Sequence, residues 1–501
     1  MKRMALTAVG LFFALAVGVG VLALVQPAEP SYRGLAAAEW FEQFRGGDTN
    51  ALTAFRQMGT NAVPFLIHRL HTQSSQAERW YVTLWQKVKP AWRTKLPPPP
   101  ATAENALLAM GLLGELGPMA GAAVPAVCSV LVTPPTNSVT PGGPLRFVKL
   151  PNRIVPGGLT SIYLSNESLR YQAANTLAAI GSDRPEPLFA VLEVAKSPRA
   201  DFFFGAMPQR ADWTIATRKA LPELVRATTS PNQNVRSVAL GLLGKYGLTE
   251  RSALLALARA SVSESGANAN NAAAYLGNVT NHFEIAVAAL VASLGATNAG
   301  NSVGTPLDGG LKLPNHFHGE AARALVRLHP RSPLVKSALL EALAHPQPGV
   351  RAGAAHTVGA LGMEMAEAEP QLRALHSVET NAPAQFHQAY AVLRLSGDAR
   401  LFMPHILATL TAPSENSRWG ALGLLAQHGA GHEDVVPRLM EVAEKDPAER
   451  VRARMATVLG LLGSQAKTAL PVLRRMLTDE HIFVREAAEA AIRKIKASRS
   501  R

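Results

Sequence analysis

The chain has 501 residues, of which 48% are hydrophobic and only 6% aromatic. This length exceeds what one compact core supports, and no linker clearly divides the sequence, so an array of repeated units is favoured over a single globular domain. The formal net charge of +14 favours an anionic partner, and the single cysteine, Cys128, excludes an intramolecular disulfide.

The N-terminus carries a long apolar segment. Lys2 and Arg3 precede an uninterrupted apolar run from Met4 to Val25, which is about long enough to cross a bilayer as one helix. We therefore predict that residues 1–26 form a signal anchor, with the positive flank inside and the body exported. A cleaved signal peptide, which would release a secreted body, is the alternative. No later segment is expected to span a membrane.

Residues 31–501 are dominated by a repeat of about 34 residues. Each repeat has a first block with an early proline and a second block that opens with an arginine and ends in glycines. The prolines that show the period most plainly are Pro370, Pro404, Pro437 and Pro471. We interpret the blocks as two helices, because proline is tolerated in the first turn of a helix. The glycine inside the second helix, as in Leu459-Gly460-Leu461, indicates close packing, since it is unfavourable there by about 1 kcal/mol relative to alanine.

The spacing predicts eleven or twelve such helix pairs. The second helices are predicted to begin near Ala51, Asn105, Leu169, Trp213, Asn234, Asn270, Gly319, Val350, Gln388, Ser417, Val451 and Val484. This pattern resembles the HEAT repeat, in the Ala- and Gly-rich bacterial variety also found in phycobilisome-lyase-type proteins. The resemblance covers residues 51–496 and implies a right-handed α-solenoid, a superhelix of antiparallel helix pairs with the second helices on its inner surface. The segment Ser31 to Phe41 is similar to the start of other exported bacterial HEAT proteins.

Four insertions interrupt the period. They are residues 71–103, 133–168, 197–212 and 295–318. Each follows a first helix and precedes a second one, so we expect all four at one edge of the solenoid, and such insertions often mark a binding face. Three of them contain Lys-Leu-Pro, which makes Lys149 and Lys312 candidate partner contacts. Loop composition without a role is the alternative.

The first insertion contains the densest aromatic cluster. Trp80, Tyr81, Trp85 and Trp92 are interleaved with lysines and an arginine. Such a mixture is typical of bilayer interfaces and of stacking surfaces for partners. The alternative is that these aromatic side chains seal the open end of the solenoid.

Five arginines occupy matching points of the second helices. They are Arg236, Arg351, Arg418, Arg452 and Arg485. A row of such positions could line a positive groove for an anionic partner. The other interpretation is structural: each arginine pairs with a carboxylate of the neighbouring repeat.

Motifs for catalysis or metal binding are scarce. The sequence contains no Walker loop, H-E-x-x-H, C-x-x-C or dinucleotide fingerprint after a strand. His316 and His318 with Glu320 could begin a metal site, but a polar loop is favoured. We therefore predict a scaffold without catalysis, cofactor or metal, which binds a protein at the extracytoplasmic face of the membrane. The alternatives are a binder of an anionic polymer or nucleic acid through a basic concave groove and, less favoured, a bilin-lyase-like enzyme.

Overall fold

The computed structural model describes residues 29–70, 102–133, 147–149, 161–163, 166–181, 183–196, 212–295 and 320–498. Within these ranges the chain forms 24 α-helices, which alternate as the first and second members of twelve pairs. The odd-numbered helices below are the first members and the even-numbered helices are the second. The fold is therefore an all-α solenoid, as predicted. Ten of the even helices begin within three residues of their predicted positions, whereas those predicted near Asn270 and Gln388 begin four and six residues earlier, at Gly266 and Ala382. The handedness of the superhelix stays a prediction.

The helices divide into two compact units, Met1–Ala220 and Leu221–Arg501. The first unit holds α1 to α8: Ala37–Arg45, Asn50–Met58, Val63–Arg69, Thr102–Leu116, Val124–Val132, Asn166–Ile180, Glu186–Ala195 and Thr214–Lys219. The second unit holds α9 to α24: Leu221–Ala227, Gln233–Tyr246, Arg251–Ser263, Gly266–Leu276, Phe283–Ser293, Glu320–Leu328, Leu334–Ala342, Pro348–Leu361, Glu369–Val378, Ala382–Ser396, Met403–Thr409, Glu415–His428, Val435–Val442, Glu449–Leu461, Leu470–Met476 and Ile482–Ala497.

Two short antiparallel hairpins accompany the helices. In the first, β1 (Ser31–Tyr32) pairs with β2 (Leu35–Ala36), and the Nε1 of Trp40 in α1 donates to the carbonyl oxygen of Tyr32 at 3.0 Å. In the second, β3 (Phe147–Lys149) pairs with β4 (Ser161–Tyr163). The second hairpin lies in the insertion predicted at 133–168, where the repeat pattern gave no sign of strands.

The two edges of the helix stack are built differently. Connections from an even helix to the next odd helix include compact 3₁₀ turns. These turns are Gly59–Ala62, Gly117–Ala123, His329–Arg331, Gly362–Ala368 and Gly463–Ala469. Connections from an odd to an even helix include the long segments, which follow α3, α5, α7 and α13. Within the first unit, three long segments therefore leave the helix pairs at the same edge.

Two different physical requirements explain the glycines near the ends of the even helices, and α22 illustrates both. A Cβ atom added at Gly460 would lie 2.8 Å from the Cα of Ala491 in α24, closer than packed carbon atoms approach. Gly463, which opens the following turn, has a φ of +58°, a left-handed conformation that side chains with a Cβ rarely adopt. The glycine inside the helix thus permits close contact between even helices, as the sequence indicated.

The core of the second unit is built mainly of small aliphatic side chains. Its two buried clusters consist chiefly of Ala, Leu and Val, and they adjoin each other at α18. Among the neighbouring even helices of this unit, α16 packs most extensively on α18 and α22 on α24, whereas α18 and α20 approach each other at the fewest positions. This junction coincides with a change in side-chain chemistry described below.

One apolar stretch among the described residues meets the length and hydropathy of a membrane span. It is Ala103–Val132, contrary to the expectation that no later segment would qualify. The stretch is two solenoid helices, α4 and α5, joined through the 3₁₀ turn Gly117–Ala123, and both pack against α6. Core helices of stacked pairs pass the same test of length and hydropathy. The predicted anchor at residues 1–26 lies outside the described residues.

Candidate functional site

The five arginines of the predicted row lie at equivalent positions in the second unit. Each is the fourth residue of its even helix: Arg236 in α10, Arg351 in α16, Arg418 in α20, Arg452 in α22 and Arg485 in α24. The side chains of Arg418 and Arg452 are almost fully buried, at 7% exposure each. An arginine in such a place needs hydrogen-bond acceptors on all sides of its guanidinium group.

Arg418 shows how these acceptors are supplied. Its Nε and Nη2 donate to the two carboxylate oxygens of Asp446 at 2.6 and 2.8 Å. Its Nη1 donates backward to the carbonyl oxygens of Ala412 and Pro413, at 2.9 and 3.1 Å. Asp446 precedes the next even helix, α22, and also accepts from the backbone N–H of Ala448 at 2.9 Å. One side chain therefore joins the turn before its own helix to the turn before the next even helix.

The arrangement repeats along the unit and forms a ladder. Arg452 binds both carboxylate oxygens of Asp479 at 2.8 and 2.9 Å, and its Nη1 donates to the carbonyl oxygen of Asp446 at 2.9 Å. Arg351 binds Glu379 with two bonds of 2.7 Å. These bonds hold the pKa of Glu379 down at about 2, and the pair with Arg452 lowers the pKa of Asp479.

The ends of the ladder follow the same pattern with small differences. Arg236 binds Glu264 at 2.6 and 3.2 Å. Arg485 donates to the carbonyl oxygens of Asp479 and Glu480 at 2.7 and 2.9 Å, and no carboxylate among the described residues pairs with it. Four of the five arginines thus pair with a carboxylate that precedes the next even helix. This arrangement agrees with the second interpretation of the row, in which each arginine pairs with a carboxylate of the neighbouring repeat. Their guanidinium groups are engaged inside the repeat array.

Three even helices between Arg236 and Arg418 interrupt the ladder. Two are α12 and α14, whose fourth residues are Ala269 and Arg323, and Arg323 binds Glu320 of its own helix. The third is α18, whose fourth residue is Gln385. Around this position lies a cluster of histidines and aromatic rings from α16 to α19. The rings of His356 and His387 pack edge to face, with their centres 5.4 Å apart. The rings of Phe386 and Phe402 also pack edge to face, with their centres 5.0 Å apart. These bulky rings stand where α18 and α20 approach each other at fewer positions.

Burial keeps the histidines of this cluster neutral. It lowers the pKa of His356 to about 4, and burial together with the neighbouring His356 and His405 holds the pKa of His387 well below its usual range. The pKa values of His376 and His405 are also lowered, chiefly by burial. Among the described residues no group of three or more His, Cys, Asp or Glu side chains is arranged to hold a metal ion.

A cleft of about 520 Å³ opens beside this junction, at the C-terminal ends of α18 and α20. Its polar lining includes Glu369, Arg394, Gln427 and His428. Glu369 is bound by Arg373 at 2.7 Å, and the hydroxyl of Ser396 donates to a carbonyl oxygen in its own helix. Glu369 and Ser396 are thus engaged in structural bonds within the helices that line the cleft.

A cation–aromatic patch lies on α20 and α22. The Cζ of Arg454 is 4.9 Å from the centre of the Trp419 ring, and the Cζ of Arg450 is 5.8 Å from it. Arg450 is also bound by Glu415 and by the side-chain oxygen of Asn416 at 2.9 Å. Arg454 has no hydrogen bond or ion pair within the described ranges, and its Nε is buried without an acceptor. We call Trp419, Arg450 and Arg454 the Trp419 patch.

Most of the other predicted contacts lie outside the described residues. They are Trp80, Tyr81, Trp85, Trp92 and Lys312. Lys149 ends β3 opposite Ser161, which places its backbone in the second hairpin. His316 and His318 of the considered metal site are also outside the description, while Glu320 is bound by Arg323 and Arg327 at 2.9 and 2.8 Å. Cys128 is partly buried in α5, and burial raises the pKa of its thiol to about 12.

Residues 403–493 match the family model described as HEAT repeats. Together with the stacked helix pairs, this match supports a HEAT-repeat protein. The bacterial origin, the phycobilisome-lyase-type variety and the export of the chain stay predictions. No curated protein sequence matches the chain.

Several solved structures resemble the chain loosely. An engineered protein is 17% identical over 79% of this chain and 97% of its own, with a TM-score of 0.30. The Kap95:Nup1 complex gives 12% identity over 92% of this chain and 67% of that chain, with a TM-score of 0.40. Human deoxyhypusine hydroxylase gives 20% identity over 57% of this chain and 98% of its own, with a TM-score of 0.22.

Proposed function

We propose that this chain is a non-catalytic scaffold that binds a protein partner through the edge where odd helices lead into even ones. The observation that carries the proposal is the asymmetry of the two edges. In the first unit three long segments follow α3, α5 and α7, whereas the even-to-odd connections described are short. Long insertions gathered at one edge of a repeat array are typical of a binding face.

The proposal includes the location predicted from the N-terminal sequence. Residues 1–26 tether the chain in the membrane, and the repeats lie on the extracytoplasmic side; secretion after cleavage is the alternative. The apolar run behind Lys2 and Arg3 supports this location.

The ladder gives little support to the alternative that the chain binds an anionic polymer. Such a binder needs guanidinium groups that can exchange their counterions for phosphates or sulfates. Four ladder arginines are instead held by carboxylates and by backbone carbonyl oxygens. An enzyme is the weaker rival, because Glu369 and Ser396 in the cleft beside α18 and α20 are engaged in structural bonds.

Deleting an insertion tests the proposed function. We would replace residues 134–165, between α5 and α6, with a short Gly-Ser linker and capture crosslinked partners from intact cells. Because the helices on both sides are retained, we expect nearly unchanged helicity and melting temperature but weaker partner capture. A matched control inserts Gly-Ser-Gly after Thr249, in the opposite type of connection between α10 and α11, and should leave capture unchanged.

Two outcomes would contradict the proposal. A large loss of helicity in the deletion variant would mean that residues 134–165 belong to the repeat core. Equal capture by the wild-type chain, the deletion variant and the Thr249 control would mean that this insertion has no part in binding.

A further inference from the structure

The Trp419 patch contains a donor that the described chain does not satisfy. Arg454 stacks on Trp419, yet its guanidinium group has no acceptor within the described ranges and its Nε is buried. Buried donors are nearly always paired, and an unpaired one calls for an explanation. Arg450 on the same helix differs, because Glu415 and Asn416 already bind it.

The surroundings of Arg454 combine one available cation with apolar surface. Trp419 is partly exposed, and α24 begins with two exposed apolar residues, Ile482 at 53% and Phe483 at 68%. By the register of the ladder, Phe483 holds in α24 the position that Arg450 holds in α22. Tryptophan and arginine side-chain pairs of this kind are common at the centres of protein interfaces.

The charges around the patch argue against a polyanion. Glu415 binds Arg450, and Glu449 and Glu486 are exposed on α22 and α24. The phosphates of a nucleic-acid strand would be repelled by these carboxylates, and the patch would offer them only one unengaged guanidinium group, that of Arg454. A single carboxylate beside an apolar side chain fits the patch without that repulsion.

We propose that the Trp419 patch binds a peptide segment in which an Asp or Glu side chain lies next to an aromatic or aliphatic residue. The carboxylate accepts hydrogen bonds from Arg454, and the apolar residue packs on Trp419 and toward Phe483. The inference rests on the proposed protein-binding function, but it concerns residues of the second unit, whereas the insertion tested above belongs to the first.

A random peptide library tests this inference with the full chain as bait. We expect selection on the wild-type chain to enrich peptides with an acidic residue next to an apolar one, and selection on Arg454→Gln to lose that enrichment. Arg438→Gln is the matched control: Arg438 is a partly buried arginine on the odd helix α21, bound by Glu441 at 2.5 Å. That variant should enrich the same peptides as the wild type.

The strongest enriched peptide then allows a double-mutant cycle by fluorescence anisotropy. Removing the guanidinium group with Arg454→Gln, or the carboxylate with an amide peptide, should each weaken binding roughly tenfold or more. The two changes together should cost little more than either alone, because both remove the same contact.

Three results would overturn the site. The first is the absence of enriched peptides, and the second is enrichment of peptides without acidic residues. The third is a double-mutant cycle in which the two losses of binding free energy simply add. A single-stranded oligonucleotide that displaces the peptide at lower concentration in an Arg454-dependent way would assign the patch to a polyanion instead. Any of these results, with partner capture still dependent on residues 134–165, would remove this site and leave the proposed function in place.

Discussion

Arg418, in the first turn of helix α20, and Asp446, in the connection before α22, form a buried ion pair across 28 residues of sequence. The guanidinium group meets the carboxylate at two points, 2.6 and 2.8 Å, and both residues are less than 10% exposed. The bond sets the distance between the starts of α20 and α22. Because Arg452 repeats it toward α24, neighbouring repeats share one spacing.

We expect Arg418→Met to lower the free energy of unfolding by roughly 3–5 kcal/mol, because it leaves the Asp446 carboxylate buried without its partner. Denaturant unfolding measures the change. Adding Asp446→Asn should recover part of the loss, since the uncompensated charge is then removed. Arg475→Gln is the control for an exposed pair: Arg475 is 61% exposed and binds Glu444, so its loss should cost far less than the loss of the buried pair. Equal losses in the buried and exposed pairs would contradict the role of the ladder.

The contact at Gly460 gives a second prediction. Gly460→Ala places a Cβ only 2.8 Å from the Cα of Ala491, so we expect a loss of roughly 1–3 kcal/mol in the free energy of unfolding from overpacking of α22 against α24. Gly241 in α10 is the control, because a Cβ added there has no atom within 4 Å. Gly241→Ala should stabilise the chain by about 0.5–1 kcal/mol through helix propensity. Thermal unfolding of the two variants should shift in opposite directions.

The histidine cluster predicts a pH dependence of stability. The neutral form of His356 is favoured in the folded chain, where its pKa is about 4 instead of 6.5. The unfolded chain therefore binds more protons between these values, so stability is complete above pH 6.5 and falls as the pH drops toward 4. The loss from His356 alone is on the order of 3 kcal/mol.

Denaturant unfolding from pH 7 to pH 4 would measure this slope. His356→Phe should reduce it, because the substituted ring can still stack on Tyr390 but takes up no proton. Ile482→Val, a change without a titratable group at an exposed residue of α24, should keep the wild-type slope. An unchanged slope in His356→Phe would show that the cluster does not govern the acid response.

The location gives a prediction that is independent of stability. A protease added to spheroplasts should digest a C-terminal tag, and the same tag should be protected in intact cells that keep an outer barrier. Digestion follows from an anchor at residues 1–26 with the positive flank inside. Protection until lysis would place the repeats in the cytoplasm and make the charge of +14 a reason to test nucleic acid.

The repeat pattern predicted the fold more fully than the site. Prolines mark the starts of odd helices because proline is tolerated in a first turn. Val-Arg pairs mark the starts of even helices through packing, because the valine is buried and the arginine binds a carboxylate of the next repeat. The ladder positions were equally visible, but the sequence left two interpretations of each arginine open. The acidic residues before the next even helices, Asp446 at 28 residues after Arg418 and Asp479 at 27 residues after Arg452, carry a signal at a nearly constant offset that would have favoured the ion pairs.

Other features could not be derived from the period. The histidine cluster draws on four helices at irregular positions, and only the packing of α16 to α19 brings His356 to His387. The Trp419 patch likewise depends on side chains from two helices whose contact is set by the ladder. The hairpin of β3 and β4 has no helical period to reveal it.

Photo-crosslinking at the two edges of the first unit tests the central claim most directly. A photoreactive residue would replace Thr133 or Lys196, which follow the odd helices α5 and α7, or Met119, which is 48% exposed in an even-to-odd turn. We predict one protein adduct of the same identity from Thr133 and Lys196 and none from Met119. The same adduct from Met119, or adducts from neither Thr133 nor Lys196, would contradict binding at the odd-to-even edge.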